Sequence, residues 1–258
     1  MGKKIHYPKP QTHQSLNIRK LLAVLFLFIS AGLLVIFTNL SSNAVIQTTS
    51  IAPSPHPLPP TLAQWQDDTN SGDYFSQVEK TQVGYLVWSQ FPIKVYIERP
   101  QVASHTQAQA WFNSVLETVQ EWSVYLPLVV VEQPDIADIN ILRKSPPLQF
   151  SRGGNFPRAR SAQATYELYN SNINNNIILS HRFTILLSPT QTGVFLKAAS
   201  RHELGHALGI WGHSDLPTDA LYFSQVRNPP QISPRDVNTL KRIYEQPTSL
   251  GWSVNKFL

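Results

Sequence analysis

This chain of 258 residues contains no cysteine, and its only methionine is Met1. Without cysteine there are no disulfides, yet an address outside the cytoplasm is not excluded. Disulfides are permitted there rather than required, and a chain of this length can bury a self-sufficient core. No internal repeat is visible, which argues against a solenoid or propeller. Acidic residues are missing from the first twenty positions, where Lys3, Lys4, Lys9, Arg19 and Lys20 stand alone. The other sixteen basic residues equal the sixteen acidic ones, so the net charge of +5 belongs to the N-terminus and the body is neutral. A nucleic-acid partner is therefore not expected. One small basic cluster, Arg152, Arg158 and Arg160, reads as a solvated loop.

The N-terminal charges precede a stretch without any charge. Residues 21–37 form an unbroken apolar or weakly polar run, and extension to Leu40 gives the length of a bilayer-spanning helix. Positive residues before it place the N-terminus in the cytoplasm and everything after Leu40 outside. The rival is a cleaved signal peptide, with Ser42-Asn43-Ala44 as small residues for the cleavage site; the apolar run is longer than such peptides use. The expectation is a membrane anchor at 21–40 behind a basic cytoplasmic tail at 1–20, or a secreted protein if the segment is removed.

Residues 41–72 are rich in Ser, Thr, Asn and Pro and read as an extended spacer, with a folded domain over 73–258. Ile93, Val95 and Ile97 alternate with Lys94, Tyr96 and Glu98, the pattern of a half-buried strand. Ser104 caps a helix on which Trp111, Val115, Val119 and Trp122 share one stripe. Residues 128–131 and 139–142 read as short buried strands. A Pro-, Gly- and Arg-containing loop follows over 146–160, then strands over 162–168 and 177–187 joined by an asparagine-rich turn. His181 in the latter reads as an ordinary strand histidine. Thr192 or Gly193 opens a second long helix, with Val194, Phe195, Ala198, Ala199, Leu204, Ala207 and Leu208 facing the core. Ser233, Pro234 and Asp236 begin a C-terminal helix with proline at its first position.

The chemistry lies in His202-Glu203-Leu204-Gly205-His206. Side chains four apart share a helix face, so both imidazoles can reach one metal ion. Glu203 is then placed as general base toward water on that metal. Gly209 can end the helix and let His213 swing back, giving three nitrogen ligands and an open fourth position, the composition of a catalytic zinc site.

These residues resemble the metzincin metalloproteases, and within them the matrixins of matrix-metalloproteinase type. The family's third histidine follows the second by six residues; here His213 follows His206 by seven, and Gly212 is available to absorb the difference as a bulge. Asp215 is the alternative third ligand. Where the family has its methionine turn, this chain reads Asp219-Ala220-Leu221-Tyr222-Phe223; leucine fills a similar volume. The segment from Ser233 to Tyr244 looks like the family's C-terminal helix, and Ala110–Trp122 with Ala137–Ile141 like its first helix and following strand. The likeness spans roughly residues 80–247. It implies an α+β fold, a metzincin-like mixed twisted sheet with two long helices and a C-terminal helix. It also implies a zinc endopeptidase with Zn2+ on His202, His206 and His213, acting on protein or peptide substrates, and a monomer is expected. Calcium or a second zinc is possible by the same likeness, but no acidic cluster marks a site. The propeptide cysteine that holds secreted matrixins latent has no counterpart here. Tyr222 can offer its hydroxyl to an oxyanion, or simply pack. Two other classes remain: a membrane-anchored zinc-binding interaction protein without turnover, and a structural ectodomain that binds no metal.

Overall fold

The structure, a computed structural model, describes residues 54–101, 104–150, 157–158 and 160–253. The basic tail, the apolar segment 21–40 and the first part of the spacer lie outside these residues. Among the described residues no helix is long and apolar enough to cross a membrane.

Alternation of apolar residues builds the centre of the sheet. In strand β1 (Ile93–Ile97), Ile93, Val95 and Ile97 are buried while Lys94 is exposed. Strand β3 (Ile139–Leu142) repeats the pattern with Ile139 and Ile141. β1 pairs in parallel with both β2 (Leu128–Val131) and β3. A two-stranded ladder of β4 (Gln149–Phe150) and β5 (Pro157–Arg158) sits in the segment expected to be only loop. β6 (Ala162–Ile173) and β7 (Asn176–Leu187) form an antiparallel hairpin, and β7 runs parallel to β3. The result is a mixed five-stranded sheet in the order β2-β1-β3-β7-β6.

The hairpin turn explains itself. Asn174 and Asn175 both adopt positive φ, 50° and 63°, as a two-residue turn matched to strand twist requires. Asparagine tolerates that region better than most residues. Both arms run to twelve residues, past the expected end of the first strand at Leu168.

β2 departs from its expected burial. Val129 and Val130 are 40% and 36% exposed, because β2 is an edge strand with a neighbour on one side only. An apolar run of four does not reveal whether a strand is central or at an edge.

Helix α1 (Pro60–Gln64) lies within the segment read as spacer, and there the structure differs most from that reading. Leu62 is completely buried in the core, a contribution of about 2 kcal/mol by apolar transfer. Trp65 donates from Nε1 to Asn238 at 2.8 Å, and Ser54 pairs with Thr248. Residues 54–72 therefore belong to the folded body.

Helix α2 (His105–Ser123) is capped by Ser104, whose hydroxyl accepts from the Gln107 amide at 3.3 Å. Its stripe is as expected: Trp111, Val115, Val119 and Trp122 are buried, joined by Thr118. α2 packs against helix α3 (Gly193–Ala207) through two buried polar contacts. Thr118 and Ser200 share a hydroxyl hydrogen bond of 2.7 Å, and Trp122 Nε1 donates to the Arg201 carbonyl at 3.0 Å. Helix α4 (Pro234–Tyr244) opens with the expected proline and a capping box between Ser233 and Asp236.

Candidate metal centre

α3 carries His202 and His206 one turn apart, and its termination brings in the third histidine. Gly209 sits at φ 130°, a conformation that side-chain-bearing residues rarely adopt. The Ile210 amide donates back to Gly205 at 3.0 Å and the Gly209 amide to His206 at 3.1 Å, the double bond of a glycine-terminated helix. Two tight turns follow, Trp211 to Gly209 at 2.8 Å and Gly212 to Ile210 at 3.0 Å.

Gly212 stands at a close approach of two backbone segments. Its φ is not positive; instead, it pairs with Val78, and a Cβ there would strike the Gln77 carbonyl oxygen. The glycine is needed for close approach of the segment 77–79, whose Glu79 amide donates to Trp211 at 2.9 Å.

The structure brings His202, His206 and His213 together, with one nitrogen from each lying within 4.8 Å of the others. Ring centroids are separated by 4.7 Å (202–206), 5.2 Å (202–213) and 4.8 Å (206–213). Asp215, the alternative third ligand, is exposed and outside the cluster. His181 is buried beneath Trp88, with ring centroids 3.9 Å apart, and also lies outside it.

Hydrogen bonding fixes the tautomers. His202 Nδ1 lies 2.9 Å from the Ala220 carbonyl and His206 Nδ1 2.7 Å from the Ile210 carbonyl. A carbonyl only accepts, so both Nδ1 atoms carry the proton and both Nε2 atoms present lone pairs. Those two Nε2 atoms stand 3.1 Å apart. Burial, the largest influence on each ring, lowers the pKa of His202 to about 4 and that of His206 well below its usual value; His213 is lowered in the same direction. Two facing lone pairs repel unless a cation lies between them. Nitrogens bound tetrahedrally to zinc at about 2.05 Å stand about 3.3 Å apart, close to the observed spacing. The donor set fits a divalent metal.

Glu203 lies between the ligands in sequence and is 8% exposed. Burial raises its carboxyl to about 7, against a hydrogen bond from the Ala164 backbone amide and the charge of Arg160. Arg160, from the basic cluster, lines the cleft.

The leucine turn supports this arrangement from below. Leu221 is fully buried, and its δ carbons occupy the space that a Cβ on Gly205 would need. Ala220, which orients His202, is itself held by Asp236: the Ala220 amide donates to Asp236 Oδ2 at 2.9 Å. The same carboxylate accepts from the Ser233 amide at 2.7 Å and from the Tyr74 hydroxyl at 2.5 Å. Asp219 accepts from Ser214 at 2.5 Å, Ser233 at 2.8 Å and Arg235 at 3.0 Å, fastening the same turn. Sequence reading gave Asp236 only a capping role; its second function depends on a partner sixteen residues away.

A cleft of about 810 Å³ passes over the three histidines. One side is β6 at the edge of the sheet; the other is the irregular segment that follows Tyr222. Val194 and Phe195, expected to face the core, are 61% and 38% exposed, and Phe195 lines this cleft. Tyr222 also lines it, with its ring centroid 4.5 Å from that of Phe223. No family model matches the chain, and no curated protein is similar to it in sequence.

Proposed function

We propose that this protein is a zinc-dependent endopeptidase of matrixin-like build, anchored in a membrane by residues 21–40 with its catalytic body outside the cytoplasm. The observation that carries the reading is the pair of Nε2 lone pairs 3.1 Å apart, with His213 beside them. Zinc held by His202, His206 and His213 would supply Lewis acidity, acidifying water and polarising the scissile carbonyl.

The chain's own residues account for the rest. Glu203 takes a proton from the attacking water and returns it to the leaving amine. Its buried carboxyl is held in place by the Ala164 amide. Ala220 and Ile210 keep the two ligand imidazoles in the tautomer that offers Nε2. β6 supports peptide recognition: it is an edge strand beside the cleft, and an extended substrate can pair with its open side. The mixed sheet, the motif-bearing α3, the buried leucine turn and α4 together favour the matrixin-like reading over a zinc-binding protein without turnover.

The test is peptide cleavage by the purified body from residue 54 onward. Hydrolysis of an unfolded protein, lost with a chelator and restored by one equivalent of zinc, is expected. Absence of cleavage with zinc bound would reject the enzymatic reading.

A further inference from the structure

Arg201 immediately precedes the first histidine of the motif but does not take part in the metal cluster. It is buried, with its side chain only 4% exposed. A guanidinium in that position must have its donors satisfied or it would be strongly destabilising. Here two separate pieces of the fold satisfy them. Nε and Nη2 donate to the two carboxylate oxygens of Glu121 on α2, at 2.6 and 2.9 Å. Nη1 donates to the Pro230 carbonyl at 2.9 Å, and Nη2 also reaches Gln231 Oε1 at 3.1 Å.

Pro230 ends the segment 224–230, the wall of the cleft opposite β6. That wall has no helix or strand of its own, so no ladder of backbone hydrogen bonds sets its position. Among the described residues, the two hydrogen bonds from Arg201 are the ones that tie the end of this wall to the helices. Where the cleft passes α3 and the wall, Phe195, Ala199, Val226 and Pro229 line it together with Ser224 and Gln225, so a side chain entering there meets apolar groups beside a few polar ones.

We propose that Arg201 is a positioning residue for substrate selectivity: it fastens the wall 224–230 to the α2–α3 pair and so sets the width of the side-chain pocket beside the metal. The inference rests on the endopeptidase reading, which it deepens. Arginine is required because only a planar fork can hold a carboxylate on one edge and two loop oxygens on the other; a lysine ammonium is a single point.

The experiment compares the wild type with Arg201→Lys and Gln231→Ala. Two readouts are used: the mobility of a spin label on Asn228→Cys, an exposed wall position in a chain with no cysteine of its own, and cleavage of peptides that differ only in the size of one apolar residue next to the scissile bond. Gln231→Ala removes a wall anchor without opening the buried ion pair, so it serves if Arg201→Lys fails to fold. A more mobile label at 228 is expected in both variants. The preference between large and small residues should flatten about tenfold through KM, with kcat on the small-residue peptide changed less than threefold. An unchanged label would overturn the proposal, as would a uniform fall in kcat across all peptides. If the wild type cleaves none of the peptides, the endopeptidase reading fails, and the label's mobility still decides whether Arg201 holds the wall.

Discussion

Glu203→Gln is expected to lower peptide cleavage by a factor of about 10² to 10⁴ while leaving zinc near one equivalent per chain. The substitution keeps size and shape, and the side-chain oxygen can still accept from the Ala164 amide that meets the carboxyl in the native protein. What it removes is the group that accepts a proton. The three imidazoles do not depend on Glu203 for orientation, since His202 and His206 are fixed by the carbonyls of Ala220 and Ile210. Metal content and turnover should therefore separate. Atomic absorption on the same sample as the kinetic assay is the check; a variant with full activity removes Glu203 from the mechanism.

Asp236→Ala is the change with the largest expected effect on stability. The carboxylate is completely buried and accepts from Tyr74, Ser233 and Ala220. Alanine leaves a buried hydroxyl, a buried amide and a half-buried amide without an acceptor, at about 3 kcal/mol or more. For a body of this size that is a fall in Tm of roughly 6–12 °C. A second consequence follows from the route through Ala220: the turn that orients His202 loosens, and zinc affinity falls by about tenfold or more. Calorimetry and competition with a chromogenic chelator measure the two effects. A variant that melts early but binds zinc as tightly as the wild type would show that Asp236 acts on the fold alone.

Local chemistry made much of this molecule legible in its sequence. The two-histidine helix, its glycine stop, the asparagine turn between β6 and β7, and the caps at Ser104 and Ser233 are all signals carried within a few residues. Each is found where the sequence placed it, because a turn or cap is specified by the residues that form it. Elements whose state depends on distant partners were less legible. β2 is as apolar as a central strand, and only the sheet order exposes Val129 and Val130. Val194 and Phe195 fit the helical stripe, but the stripe ends where the cleft begins. Residues 54–72 read as a spacer because prolines extend the chain; whether Leu62 finds a core depends on the body it meets. Arg201 and Asp219 carried no local mark at all. Their partners lie from five to eighty residues away, and burial is what makes those contacts consequential.

The central claim is a divalent ion held by three imidazoles with one position left open. X-ray absorption at the zinc edge, on protein loaded with one equivalent, tests it most directly. The account predicts three nitrogen neighbours at about 2.0–2.1 Å with imidazole scattering and one further light atom. His213→Ala should remove one of the three. A spectrum with only two imidazoles, unchanged in that variant, or a protein that retains no zinc after dialysis, would contradict it.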